Sequence, residues 1–491
     1  MHVQEKSDPA IVAVKPANKA GQPGAERAEP RAGTKGNADH NVPPRTLSRD
    51  KVAHDVARIR QAASREKETP LTALLHHINA DSLTVAFYAL KRDAAAGVDG
   101  VTWRDYERDL TARLSDLHGR IHRGAYHPLP SRRRYIPKAD GGQRPLAVTA
   151  LEDKIVQRAV QTVLNAIYEE DFLGFSYGFR PGRSQHDALD ALVVGIGRKR
   201  VNWILDADIR SFFDTVSQDW LIRFVERRVG DKRIIRLIQK WLKAGVLEDG
   251  VVSVSETGTG QGSVISPLLA NIYLHYVIDL WAEQWRRREA KGDMIIVRYA
   301  DDLIVGFEFE AEARRFLEAM RDRLGDFALA LHPDKTRLVE FGRFAEANRQ
   351  RQGLGKPETF DFLGFTFICS KSVKGRFLIK RKSRRDRVRK KLKDVKEELR
   401  RRWHLPIPEQ GKWLGQVVRG FFNYHAVPTN FEALRMFHRQ VLWLWRSTLR
   451  RRSNRDKTNW TTILKLAAEY LPKPAIIHKW PEQRFAVKYP R

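Results

Sequence analysis

The chain has one cysteine, Cys369, among its 491 residues. That excludes a disulfide framework and any zinc site built on paired thiolates. No apolar run is long enough to span a bilayer. The first fifty residues lack the apolar core of a signal peptide, and Glu5, Asp8, Glu26 and Glu29 oppose an organellar transit peptide. These absences predict a cytoplasmic protein with no membrane partner. Residues 1–65 have almost no aromatics and are rich in Ala, Gly, Pro and charge, which predicts a disordered basic tail. No internal repeat is found. The stretch Gly258-Thr259-Gly260-Gln261-Gly262-Ser263 lacks a Gly-Lys-Ser/Thr ending, so a nucleotide-hydrolase loop is excluded.

What is abundant is positive charge. Lys and Arg number 89 against 59 Asp and Glu, a formal net charge of +30 and a pI near 10.3. A large protein this basic repels itself unless it meets a polyanion, so nucleic acid is the expected partner. Binding should weaken steeply with salt, because each phosphate contact releases counterions.

The most informative stretch is Tyr299-Ala300-Asp301-Asp302, set between Met294-Ile295-Ile296-Val297 and Leu303-Ile304-Val305-Gly306-Phe307. Two β-branched runs around a tight polar turn predict a hairpin that lifts adjacent carboxylates to its tip. Such carboxylates repel each other, and a divalent cation shared with a third acid relieves the repulsion. Alone, the pair reads first as an ordinary Asp-rich turn, and the company it keeps along the chain overturns that reading. An apolar strand, Val201–Leu205, offers three candidates for the third acid. Asp206 is still inside the strand, Asp214 lies past Phe212-Phe213, and Asp208, at the strand end, is best placed.

Upstream, Leu71 to Leu90 follows a helical pattern, and Thr102 is placed to cap a helix running towards His122. Lys138 and Arg144 flank the Asp140-Gly141-Gly142 turn of a short strand pair, where two cations can bracket a triphosphate or sit solvated. Arg180 and Arg183 add cations on the Gly178–Arg183 loop. Pro267 falls in the first turn of a helix opened by the Gly-rich stretch. Phe360 to Phe367 alternates as one strand. Lys380 to Arg402 reads as a helix with a stripe of Val388, Leu392, Val395 and Leu399 under a cationic face that includes Arg385, Arg389 and Lys393. The remaining C-terminal stretch interleaves aromatics, from Trp413 to Trp460, with arginines, a composition suited to stacking on RNA bases and contacting phosphates.

Strand-acid, helix and acidic hairpin, in that order, match a βαββ polymerase palm. From about residue 70 onward the chain resembles the group II intron reverse transcriptases, or maturases, of bacterial type. The resemblance rests on Gly97-Val98-Asp99-Gly100, Ile136-Pro137-Lys138 with Gly142–Leu146, Tyr177–Pro181, Asp208–Asp214, Gln261–Ser263 with Ser266–Leu274, Tyr299–Asp302, Phe362–Phe365, Arg419–Tyr424 and Arg484–Arg491. It implies an α+β right hand: an N-terminal extension and fingers over 66–200, palm over 201–375, and a helical thumb and maturase region over 376–491. Asp208, Asp301 and Asp302, with the carbonyl of Ile209, would bind two Mg2+ ions. Lys138 and Arg144 would hold the incoming deoxynucleoside triphosphate, Phe212 would lie under its sugar, and Gln261 and Gly262 would line its pocket. Lys335 would serve as general acid for pyrophosphate departure. Arg180, Arg183, Arg385, Arg389, Lys393, Arg419, Tyr424 and Arg450 would contact RNA.

The implied partners are the intron RNA, an RNA template with a DNA or RNA primer, and target DNA. The sequence leaves open whether the protein forms a homodimer. Gly260 stands where the family usually has Pro, which should loosen that turn. With one cysteine and a chain ending at Arg491, the endonuclease domain of many relatives is expected to be missing. An alternative reading is an RNA-binding splicing cofactor with a vestigial polymerase site. The full set of catalytic residues favours the active enzyme.

Overall fold

The computed structural model describes residues 43–137, 142–248, 250–452 and 458–488. It is a mixed α+β architecture with several small sheets and a helical C-terminal region. The central sheet has the strand order Met294–Tyr299, Asp302–Phe307, Trp203–Asp208, Arg337–Glu340, all antiparallel. One face packs into the largest core cluster, with the N-terminal helices, the Leu151–Tyr168 helix and the helix from Ser266. The other, through Ile204, Ile295, Val297, Ile304 and Val339, packs against the Gln185–Arg198 helix and the strands Phe360–Phe362 and Phe365–Lys371.

A second sheet pairs Ser131–Pro137 with Gln143–Val148, extended by Val246–Glu248 and Val251–Ser253. A third holds Phe360–Phe362, Phe365–Lys371 and Phe377–Ser383. Three C-terminal helices, Arg385–Arg401, Ile407–His425 and Phe431–Arg450, enclose a separate core around Trp445, Phe437 and Leu414, with the Trp460–Tyr470 helix packed on it.

Four expectations need correction. Residues 1–42 lie outside the described residues, and the disorder expected over residues 1–65 does not hold for Pro43–Arg65, a helix whose stripe of Val52, Val56, Ile59 and Ala63 meets the Ala80–Ala89 and Leu151–Tyr168 helices. Its C-terminal end is held by Arg228, which donates to the carbonyls of Ala63 and Glu66. Phe360–Phe367 is a hairpin, because Leu363 and Gly364 both take positive φ, 45° and 79°, as a two-residue turn requires. Residues 377–383 form a strand, so the basic helix starts only at Arg385. The Leu71–Leu90 pattern is a short 3-10 turn followed by a helix that Asn79 caps.

Candidate active site

The hairpin forms as expected, with Met294–Tyr299 paired to Asp302–Phe307 and Ala300 in the left-handed region at φ 57°. In the neighbouring strand Asp208 pairs directly with Asp302. Directly opposed residues hold their Cβ atoms about 5 Å apart, so these two carboxylates share one end of the sheet's two central strands, with Asp301 beside them. Asp206, two residues back, pairs with Ile304 and faces Arg337 at 3.9 Å. Asp208 is therefore the strand-end acid that meets the hairpin.

Electrostatics shows the cost of this convergence. Burial pushes Asp302 up to about 7, and the charges of Asp301 and Asp208 push the same way. Burial and Asp208 also raise Asp301, while Arg144 draws it back. The Lys335 ammonium sits 2.9 Å from Asp208 Oδ2, in a position a cation would take. Among the described residues no three His, Cys, Asp or Glu side chains are grouped as a metal cage. An all-oxygen donor set that raises its own pKa values fits a hard divalent cation. Ile209 is fixed by a bridge to Leu331, flanked by His332 N donating to Asp208 O at 2.7 Å and Arg210 N to Ala330 O at 2.8 Å.

The hairpin is braced from beneath by a residue that motif reasoning passed over. Arg298 is fully buried and makes five hydrogen bonds: two to Asp279 at 2.6 Å, and one each to Asn271 at 3.1 Å, the Ala300 carbonyl at 2.9 Å and Ser176 Oγ at 2.7 Å. Those bonds use all five guanidinium N–H groups. Asn271 in turn donates to the Gly178 carbonyl at 2.6 Å. A Cβ on Gly178 would stand 2.2 Å from Ala300 N, so only glycine lets this loop reach the turn. Asp279 closes a π-helical turn, His275–Asp279, that follows the Ser266–Leu274 helix. A charged residue inside an apolar strand was the available signal, because it needs a buried acid.

Gln261 and Gly262 are stitched to the strand that carries Arg144: Ala147 N donates to the Gln261 carbonyl at 2.7 Å. Gly262 has φ +112°, and a Cβ there would stand 2.9 Å from the Ala147 carbonyl oxygen. The looseness expected at Gly260 is offset, since its carbonyl accepts from Ser263 N at 3.1 Å and Ser266 Oγ at 3.0 Å. Gln261 lines a cavity of about 200 Å³ with Thr259, Asp214 and Phe213. The three carboxylates lie outside that lining. Phe212 does not face the cavity. It is buried against Tyr273, because on the one-turn helix Phe212–Thr215 consecutive side chains diverge, and Phe213 takes the open side. Lys138 lies outside the described residues.

The expected RNA contacts divide. Arg385, Arg389, Lys393, Arg419 and Arg450 are exposed. Arg180 is not: it is buried, paired with Glu169 at 2.9 Å, and donates to the Leu173 and Ser176 carbonyls. Tyr424 is also occupied, its hydroxyl donating to the Leu363 carbonyl at 2.6 Å across the junction between the third sheet and the C-terminal helices. Arg183 is half-buried over the Tyr177 ring and donates to the Gly174 carbonyl. Arg387, which sequence reasoning passed over, acts electrostatically on Asp302 from the basic helix. Lys390 Nζ reaches the Pro137 carbonyl at 3.5 Å, a contact between the basic helix and the hairpin that carries Arg144.

A carboxylate-tipped hairpin acted on by the cations Arg144, Lys335 and Arg387 suits a polymerase-type catalytic domain. The family model for reverse transcriptase (RNA-dependent DNA polymerase) matches residues 136–367. The chain is 38% identical over 277 residues to protein YkfC of Escherichia coli, covering 49% of this chain and 71% of YkfC. It is 36% identical over 196 residues to the group II intron-encoded protein LtrA of Lactococcus lactis, covering 40% of this chain and 32% of LtrA. Similarity to the putative COX1/OXI3 intron 1 protein of Saccharomyces cerevisiae is 24% over 425 residues, 73% of this chain and 50% of that protein. The chain belongs to the reverse transcriptase family and is related to group II intron-encoded proteins. No helix among the described residues is long and apolar enough to cross a membrane.

Proposed function

We propose that the chain is an RNA-directed DNA polymerase that also binds its intron RNA, promoting splicing and target-primed reverse transcription. The observation that carries this reading is the pairing of Asp208 with Asp302 beside Asp301, with Lys335 at 2.9 Å from Asp208. In it, the N-terminal elements and the Arg144 hairpin act as fingers, the central sheet as palm and the C-terminal helices as thumb.

Asp208, Asp301 and Asp302, with the Ile209 carbonyl, would hold two Mg2+ ions. Bound there, the ions would neutralise developing charge on the attacking and leaving oxygens of an in-line phosphoryl transfer. The protein's part is positioning. Arg144 and Lys138 hold the triphosphate, Gln261 and Gly262 border the nucleotide, and Lys335 stands within reach to protonate the departing pyrophosphate. Phe213, not Phe212, has the open position to bear on the sugar. The exposed cations of the basic helix and of Arg419 and Arg450 suit RNA phosphates.

The test is primer extension on an RNA template with deoxynucleotides and Mg2+, comparing wild type with the Asp301→Ala, Asp302→Ala double variant. Extension by wild type alone supports the polymerase. If neither extends while both bind intron RNA tightly and stimulate its splicing, the vestigial-site reading replaces it.

A further inference from the structure

A second cavity, of about 480 Å³, opens where the Gln185–Arg198 helix, the Phe377–Ser383 strand and the final helix, Pro481–Lys488, meet. It shares no residue with the cavity that Gln261 lines, nor does it take in Asp208, Asp301 or Asp302. Its floor is apolar, with Val193, Phe377 and Ile379, and Trp480, 45% exposed, stands at its edge. Its rim is cationic. Arg198, Arg343 and Arg376 all line it and are exposed, and among the described residues none has a carboxylate within ion-pair distance.

The surroundings do not cancel that charge. Arg343 donates to the Gly197 carbonyl at 2.8 Å, which fixes its guanidinium at the lip while leaving its charge uncompensated. Behind the wall one buried acid, Asp190, serves two cations, Arg381 at 3.0 Å and Arg484 at 3.2 Å. Arg484 Nη1 is buried and has no hydrogen-bond partner. Glu482 is the single acid in the lining. A concave site with an apolar floor, one accessible indole and surplus guanidinium groups suits a planar aromatic body joined to a phosphate.

We propose that this cavity binds a nucleoside phosphate, its base against Trp480 and the apolar floor, its phosphate among Arg198, Arg343 and Arg376. The same chemistry has two sources, a free nucleotide or an unpaired nucleotide of an RNA strand. The site stands independently of the polymerase reading.

The test uses equilibrium dialysis of the full chain with radiolabelled AMP, adenosine and the RNA pentamer A5, without Mg2+. AMP is expected to bind at least tenfold more tightly than adenosine. Arg376→Glu and Trp480→Ala should each weaken AMP at least tenfold with primer extension unchanged. If A5 binds tenfold tighter than AMP and is lost in the same variants, the nucleotide arrives as part of RNA. If A5 binds no tighter, it arrives free. AMP binding that is absent, or equal in wild type and Arg376→Glu, overturns the proposal. Loss of extension in Asp301→Ala, scored in parallel, reports on the catalytic site alone.

Discussion

The Arg298 guanidinium meets the Asp279 carboxylate through two hydrogen bonds of 2.6 Å, with both side chains shut off from solvent. The same guanidinium holds the Ala300 carbonyl at 2.9 Å, one residue before Asp301 and Asp302. The ion pair is therefore a strut between the π-helical turn and the turn of the acidic hairpin. Breaking a buried pair costs about 3–5 kcal/mol, because the remaining charge is stranded. Lys at 298 keeps the charge but cannot make five directed bonds. Arg298→Lys should lower kcat for primer extension at least 100-fold with KM for the deoxynucleotide within a few-fold. Asn271→Ala, which removes an uncharged partner and leaves the Gly178 carbonyl without its donor, should lower kcat about tenfold at a stability cost of about 1–3 kcal/mol. Equal falls in activity and folded fraction would mean that the strut serves stability alone.

The two adjacent phenylalanines should separate cleanly. Phe212→Ala empties a core position and should destabilise the protein by about 3–5 kcal/mol, read by denaturant titration. Phe213→Ala should leave stability nearly unchanged and raise incorporation of ribonucleotides relative to deoxynucleotides. The reverse pattern in single-nucleotide extension would return the sugar contact to Phe212.

The outer face of the basic helix should set the salt dependence of RNA binding. Arg389 and Lys393 are exposed on it. Arg389→Glu with Lys393→Glu should weaken intron RNA binding and reduce the slope of log K against log salt by about 2, roughly one per phosphate contact. An unchanged slope would mark this face as merely solvated.

His186 should make the junction with the C-terminal helices acid-sensitive. Burial, then the neighbouring His478 and Arg484, push it down to about 2, and both ring nitrogens lack hydrogen-bond partners. Below about pH 6.5 the unfolded chain binds a proton that the folded chain refuses, so stability is lost as pH falls. Between pH 6.5 and 5 this amounts to about 2 kcal/mol. The thermal midpoint of wild type should therefore fall relative to His186→Gln over that range. Parallel pH profiles would refute it.

Much of the geometry of the candidate site was legible because its signals are local. The hairpin, the strand-end acid and the Gln261-Gly262 loop each follow from periodicity and turn chemistry within a few residues. Where local signals tied, the sequence could not choose. Phe212 and Phe213 are equivalent on paper, and only the packing of Tyr273 decides which one turns inward. Leu363-Gly364 looked like strand because a Leu at positive φ is uncommon.

The sequence by itself determined the order of the candidate catalytic groups, the basic balance and the family, since these are written in residue identity and spacing. Only the tertiary structure decided which arginines are available to nucleic acid. Arg180 is held by Glu169, Arg298 by Asp279, and Arg381 by Asp190, which lies 191 residues away. A guanidinium can be buried only where the fold brings it an acid, and no spacing rule reaches that far.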